Sequence, residues 1–220
     1  MRDGGRRAPA KQYTSLPDPG ADPAAPEHAT PMETLRRIVY LIFRPTAEWD
    51  RIAAETTSVD LLLRRIILPL SLLAPVATVI GMTTFDRAWD PLHGYLVPAD
   101  QIFAAGATTF FAIIASIFLL AAIFALLAPT FGAPRDYLAS LKVAAYGAIP
   151  VMLAGATLLL PVMAIVGMVG VCHTLFLYWV GVRRVLHVSE ASRTEFVGIS
   201  MLLLAVASTV LGAAASSIGL

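Results

Sequence analysis

Between Ile102 and Ala128 the chain runs for 27 residues without one charged side chain. Longer than about 18 residues, such a run is read as a membrane-spanning helix rather than a buried core helix. A second stretch, Tyr137 to Val182, carries one charge, Lys142, and a proline, Pro161, near its centre. It is long enough to cross a bilayer twice, with Pro161 as the hairpin break. Hydrocarbon offers no hydrogen bonds to an unpaired backbone, so segments of this kind span as helices. The expected fold class is therefore all-α, a polytopic membrane protein. Composition agrees: 14% of residues are charged and 57% hydrophobic, where a soluble domain carries about 25% charge.

Five spans follow from the apolar runs: 66–84, 102–128, 139–160, 161–182 and 196–219. The first is entered through Arg64 and Arg65 and contains Pro69 and Pro75. The second exceeds the roughly 30 Å of hydrocarbon unless tilted. Lys142 lies close enough to the start of the third to snorkel. Ser192-Arg-Thr-Glu195, a capping-box pattern, marks the start of the fifth. Small residues at helical spacing offer packing faces for neighbouring helices. They are Ser208, Gly212 and Ser216 beside Ala205, Thr209, Ala213 and Ser217 in the fifth span, with Gly147, Gly155, Gly167 and Gly170 in the third and fourth.

Charge sets the expected orientation. The N-terminal region, Arg135 with Lys142, and the loop holding Arg183, Arg184 and Arg193 contain fifteen of the sixteen Lys and Arg, and the opposite side has only Arg87. The positive-inside rule puts the N-terminus in the cytoplasm and the C-terminus outside. Fourteen of those sixteen are arginine, a bias of GC-rich bacterial genomes, so the expected location is a bacterial inner membrane. The first 31 residues lack the apolar core of a signal peptide, and the first span is expected to act as its own insertion signal. Their low content of large apolar residues predicts a disordered tail over 1–31.

Residues 32–65 are expected to form cytoplasmic amphipathic helices. In LRRIVYLIFR, a helix sets Leu35, Ile38, Val39, Ile42 and Phe43 on one arc and Arg36, Arg37, Tyr40 and Arg44 on the other. Such a basic amphipathic helix suits the headgroup region, or else packs on the bundle. Pro45 ends it, and Thr46 is placed to cap a second helix with Trp49, Ile52 and Ala53 on its apolar side. Arg36, Arg37, Arg44 and Trp49 are the candidate partner-contacting residues.

His173, near the middle of the fourth span, is the candidate ligand or proton-pathway residue, because ionisable groups in lipid are rare. The structural alternative is a neutral imidazole bonded to Thr108, Thr109 or Ser116. Cys172 points to a different helix face, and its being the only cysteine excludes an internal disulfide. No His or Cys pair has metal-ligand spacing, no glycine-rich phosphate loop is present, and no nucleophile has a placed base. No cofactor, metal or catalytic residue is expected. The loop 83–101 gathers Asp86, Asp90, His93 and Asp100 beside three aromatic residues, a weak cation site. Near-neutral net charge argues against nucleic acid.

Several segments together resemble a known family. They are RPTAEWDRI (44–52), LPLSLLAPVATVIG (68–81), AYGAIPVMLAG (145–155), LLPVM (159–163) and FLYWVGV (176–182). Over 32–220 the chain is similar to the bacterial branch of the Yip-type (Ypt-interacting) domain family. The resemblance implies five membrane helices with a cytoplasmic N-terminus, and its motifs are packing and boundary residues. Eukaryotic relatives bind prenylated Rab-type GTPases and shape or traffic membranes. The expected function is a non-enzymatic membrane protein that organises membrane or partner proteins through its N-terminal region. The alternative is a small transporter with a site near His173. The expected partners are the lipid bilayer and a membrane protein or second copy of the chain.

Overall fold

Prolines decide where the helices of this chain break. The structure, a computed structural model, describes residues 31–84, 89–90, 95–159 and 163–217. The tail expectation for 1–30, and Pro161, Asp86 and His93, lie outside those residues. The first described helix is α1 (Pro31–Phe43), and α2 (Pro45–Ala54) follows after Arg44 alone. Pro45 ends α1 as expected and occupies the first turn of α2, where its fixed φ suits a helix start. Thr46 is not the cap: Arg44 holds that position, with no side-chain cap bond.

The first span is one run of short pieces: α3 (Val59–Leu62), a π-turn (Leu63–Ile67), α4 (Leu68–Ser71) and α5 (Leu73–Thr84). It starts before the expected Ile66 because Ser58 caps α3 through the Leu61 amide and Asp60 pairs with Arg64 one turn on, 2.8 Å away. Arg64 and Arg65 thus lie inside the helix rather than before it. Pro69 and Pro75 each leave the carbonyl four residues back without a donor. The π-turn and the interruption at Leu72 sit at those two points.

Beyond a two-residue antiparallel pairing of β1 (Trp89–Asp90) with β2 (Tyr95–Leu96), α6 runs over Ala99–Leu127 and closes with a 3-10 turn at Ala128–Phe131. At 29 residues it is about 44 Å long. Gly132, at φ 72, makes the left-handed turn that follows, and α7 (Tyr137–Gly147) starts under an Asp136 cap on the Ala139 amide. Pro150 separates α7 from α8 (Ile149–Ala154), which continues as a 3-10 turn to Leu159. The amide of Val151, released by that break, donates instead to Thr174 Oγ1 of α9 (Ala164–Val185) at 3.0 Å. α10 (Arg193–Ser217) is the last described helix.

Five runs are long and apolar enough to cross a membrane: Val59–Thr84, Ala99–Phe131, Tyr137–Leu159, Ile165–Val185 and Arg193–Ala214. The third is the most enclosed and the fifth the least. The core joins Trp49 and Ile52 of α2, Leu120 and Phe124 of α6, Leu141 and Tyr146 of α7, Leu177 and Tyr178 of α9, and Phe196 of α10. Phe124 stacks on Phe196 (5.4 Å) and meets Tyr178 edge-on (5.8 Å).

Small residues do their packing in the third and fourth spans. A Cβ on Gly147 would lie 2.3 Å from the Tyr178 ring, and one on Gly170 would lie 2.5 Å from Ala154. In the fifth span the expected faces are not packed within the fold: Ala205, Ser208, Thr209, Gly212 and Ala213 are exposed. The buried contacts of α10 come from its first turns, at Phe196, Val197 and Ser200.

Two stability predictions follow from the connections. His187, at φ 61, holds a left-handed conformation costly to a side chain, just where Val188 N–H reaches back to Val182 O (3.3 Å). His187→Gly is expected to stabilise the protein by about 0.5–1 kcal/mol, read as a raised midpoint in detergent melting. Thr174→Val leaves the Val151 amide unpaired and is expected to cost roughly 1–3 kcal/mol; an unchanged midpoint would refute that role.

Candidate functional site

The densest polar arrangement lies where the N-terminal pair, α1 and α2, meets the spans. Arg37 projects from α1 toward α2 and α7. Its Nε is 3.3 Å from Glu48 Oε1, and its Nη1 donates to Glu55 Oε2 at 2.6 Å and to the Tyr146 hydroxyl at 3.1 Å. One guanidinium thus ties α1 to both ends of α2 and to the third span. Burial opposes its charge, but the hydrogen bond to Glu55 and the fields of Tyr146 and Glu55 outweigh burial and hold its pKa above the ordinary arginine range. Glu48 is 4% exposed. It also accepts from Arg51 at 3.2 Å, so a nearly buried carboxylate is paired on both oxygens.

Lys142 completes the joint. Its amine is buried, not snorkelled: Nζ donates to Ile52 O at 3.2 Å and to Glu55 O. Those are carbonyls of the last turn of α2, where a helix leaves acceptors unmet and a cation is favoured. On the far side Arg184 Nη1 donates to Asp50 Oδ1 at 2.6 Å, pinning α2 to the end of α9.

Between these polar contacts Trp49 lies fully buried. Its ring sits on Gly181 of α9, where a Cβ would come within 2.8 Å of it, and it meets Tyr146 edge-on at 6.5 Å. Trp49 Nε1 is buried without a hydrogen-bond partner. The tryptophan's contribution here is therefore apolar area and shape.

Of the four residues expected to contact a partner, Arg36 and Arg44 are exposed, whereas Arg37 and Trp49 are turned into the fold. α1 divides the expected apolar arc between the core and the outside. Ile38 and Leu41 enter the core, while Leu35, Val39 and Phe43 of the expected apolar arc remain outside. Glu48 and Glu55 escaped sequence reasoning. With Ile52 they fall at spacings of four and three, on the stripe of α2 that turns inward, and acidic residues on an apolar stripe were the available signal.

His173 is half-buried, its ring 5.8 Å from Phe176. The bonded imidazole expected as the structural alternative is not found: Nε2 is buried with no partner. Thr109 and Ser116 spend their hydroxyls on carbonyls of their own helix, Ala105 O (2.8 Å) and Ile113 O (2.7 Å), and Thr108 is exposed. Cys172 is exposed. An open apolar groove of about 680 Å³ runs between α9 and α10 past Phe176, Trp179, Gly198 and Met201. At its end Arg193 lies over the Trp179 ring at 3.2 Å. Among the described residues no three His, Cys, Asp or Glu side chains are gathered to hold a metal ion.

Fold and site define a multi-pass helical membrane protein with an N-terminal helix pair bonded onto its spans. Residues 39–212 match the family model of the Yip1 domain, and the chain belongs to that family. No curated protein and no solved structure matches it.

If the joint holds the pair in place, Arg37→Ala strands Glu48 with one exposed partner and should cost roughly 2 kcal/mol. Gly181→Leu should displace the Trp49 ring and do comparable harm. Both are expected to expose the 44–55 segment to limited trypsin digestion in detergent. Arg36→Ala, outside the joint, should change stability by less than about 0.5 kcal/mol.

Proposed function

We propose that this Yip1-domain protein is a non-enzymatic organiser in a bacterial inner membrane, working through its cytoplasmic N-terminal helix pair. The observation that carries the reading is the joint itself. Arg37–Tyr146, Lys142 and Asp50–Arg184, with Glu48 and Glu55 bracing Arg37, fasten a non-spanning pair to two elements of the bundle, α7 and α9. A pair secured in this way is a platform whose outer face keeps a set position relative to the bilayer. A loose tether would have needed none of these contacts. The clustering of arginine and lysine contacts at the end where α2 meets α7 and α9 supports an N-terminus on the cytoplasmic side.

Crosslinking tests the platform. A photoreactive residue at exposed position 36 or 44 is expected to capture lipid or a protein in intact membranes, well above one at buried position 49. Equal yields from all three would overturn the reading. Orientation has its own test: in a Cys172→Ser background, Ser58→Cys and Ser189→Cys should be shielded from an impermeant thiol reagent in whole cells, and Pro98→Cys labelled. The reverse pattern would invert the protein.

A transporter reading keeps one observation, the unpartnered Nε2 of His173 in the fourth span. His173→Leu removes an unmet polar atom and should stabilise the protein by about 1 kcal/mol, read as a raised melting midpoint. If that gain comes with no change in growth or membrane composition, the transporter reading is lost.

A further inference from the structure

On α1 the side chains that the fold leaves outside are not the polar ones. Met32 is 73% exposed, Leu35 57%, Val39 51% and Phe43 77%. Steps of three, four and four residues set these four on one stripe. The inward face, Arg37, Ile38 and Leu41, lies nearly opposite. Along one border of the stripe run Arg36, Tyr40 and Arg44, again four apart, with both arginines exposed. The other cation of α1, Arg37, is consumed by Glu48, Glu55 and Tyr146, and Arg44 stands just past the helix end. Arg36 and Arg44 carry their charge outward.

We propose that the outer stripe of α1 is a foot that rests in an anionic phospholipid surface, its four apolar side chains among the acyl-chain ends and Arg36 and Arg44 on the phosphates. The proposal rests on the platform reading above and names what the platform touches. Three observations favour lipid as the occupant. Charge complementarity is the first: two outward guanidiniums beside an apolar stripe match the phosphate layer over hydrocarbon, and near an anionic leaflet each is worth about 1 kcal/mol. Depth is the second. The helix on which α1 lies is held by Lys142 in the first turns of the third span and by Arg184 at the end of the fourth, so the pair lies at the level where spans leave hydrocarbon. The third is preorganisation. α1 is already docked on the core through its own Ile38 and Leu41 and needs no ordering on contact, unlike an amphipathic segment that folds as it binds.

The test uses the full-length protein reconstituted in phosphatidylcholine vesicles, with and without phosphatidylglycerol. In a Cys172→Ser background an environment-sensitive fluorophore is attached at Leu35→Cys, Phe43→Cys or, as the control, Ala47→Cys on an exposed position of α2. Labels at 35 and 43 are expected to be blue-shifted and quenched by nitroxides on the acyl chains, and the label at 47 to stay in water. Energy transfer from position 43 to a headgroup-labelled phosphatidylglycerol should show local enrichment. That enrichment should fall roughly fivefold for each arginine removed in Arg36→Ala and Arg44→Ala. Labels at 35 and 43 as wet as the one at 47 would overturn the proposal. Enrichment unchanged in the double arginine variant would overturn its anionic part. The two failures remain separable: protein adducts from positions 36 and 44 with wet labels sink the lipid foot but keep the platform, whereas no adduct of either kind sinks both.

Discussion

Arg37 is one cation shared among three acceptors on two other elements, and the placement of the N-terminal pair depends on it. A guanidinium suits this duty because its planar fork reaches several oxygens at once and never loses its proton. Glu48 accepts from it while nearly buried and is relieved further by Arg51. A charge so enclosed is costly unless every oxygen is met. The network thus specifies one docking of α1 and α2 and penalises every other. Trp49 then supplies the apolar contact, admitted only because residue 181 is a glycine.

The spans follow the same logic of unmet groups. Pro69, Pro75 and Pro150 each withdraw a backbone donor: a π-turn and a break at Leu72 mark the first two, and beside the third the freed Val151 amide donates to the Thr174 hydroxyl of α9. In lipid no water can make up the deficit, so the answer must come from the chain. Among the described residues of the spans, His173 Nε2 is a buried side-chain atom left without an answer, as Trp49 Nε1 is in the N-terminal pair. Function reads more naturally from the N-terminal pair, whose charges converge, than from a solitary imidazole.

The resemblance in the sequence pointed to the correct family, and its segments now have physical roles. RPTAEWDRI contains the start of α2, the buried carboxylate and the buried tryptophan. AYGAIPVMLAG contains the Tyr146 acceptor, the Gly147 approach to Tyr178, and the break at Pro150. FLYWVGV contributes Leu177, Tyr178 and the Gly181 seat. These residues hold the joint together and pack the third span on the fourth.

Number of spans, helical class and the amphipathic start were legible from the sequence, because each depends on properties local to the chain. Uncharged length demands a crossing, proline ends a helix, and alternation of arginine with leucine makes two-faced helices. Which face turns inward was not legible. A helix with apolar residues on most of its circumference offers several faces of similar worth. The choice of Ile38 and Leu41 over Leu35 and Phe43 was made by Glu48, Glu55 and Tyr146, of which Tyr146 lies 109 residues away from Arg37. Lys142 likewise looked like a side chain seeking water until α2 brought two carbonyls to it. The small residues of α10 resembled packing faces, yet tertiary contacts show its described half up to Leu204 turned to the core and Ala205, Ser208, Thr209 and Gly212 exposed. Composition determined that this chain lives in a membrane; long-range pairing of buried charge decided which surface it presents there.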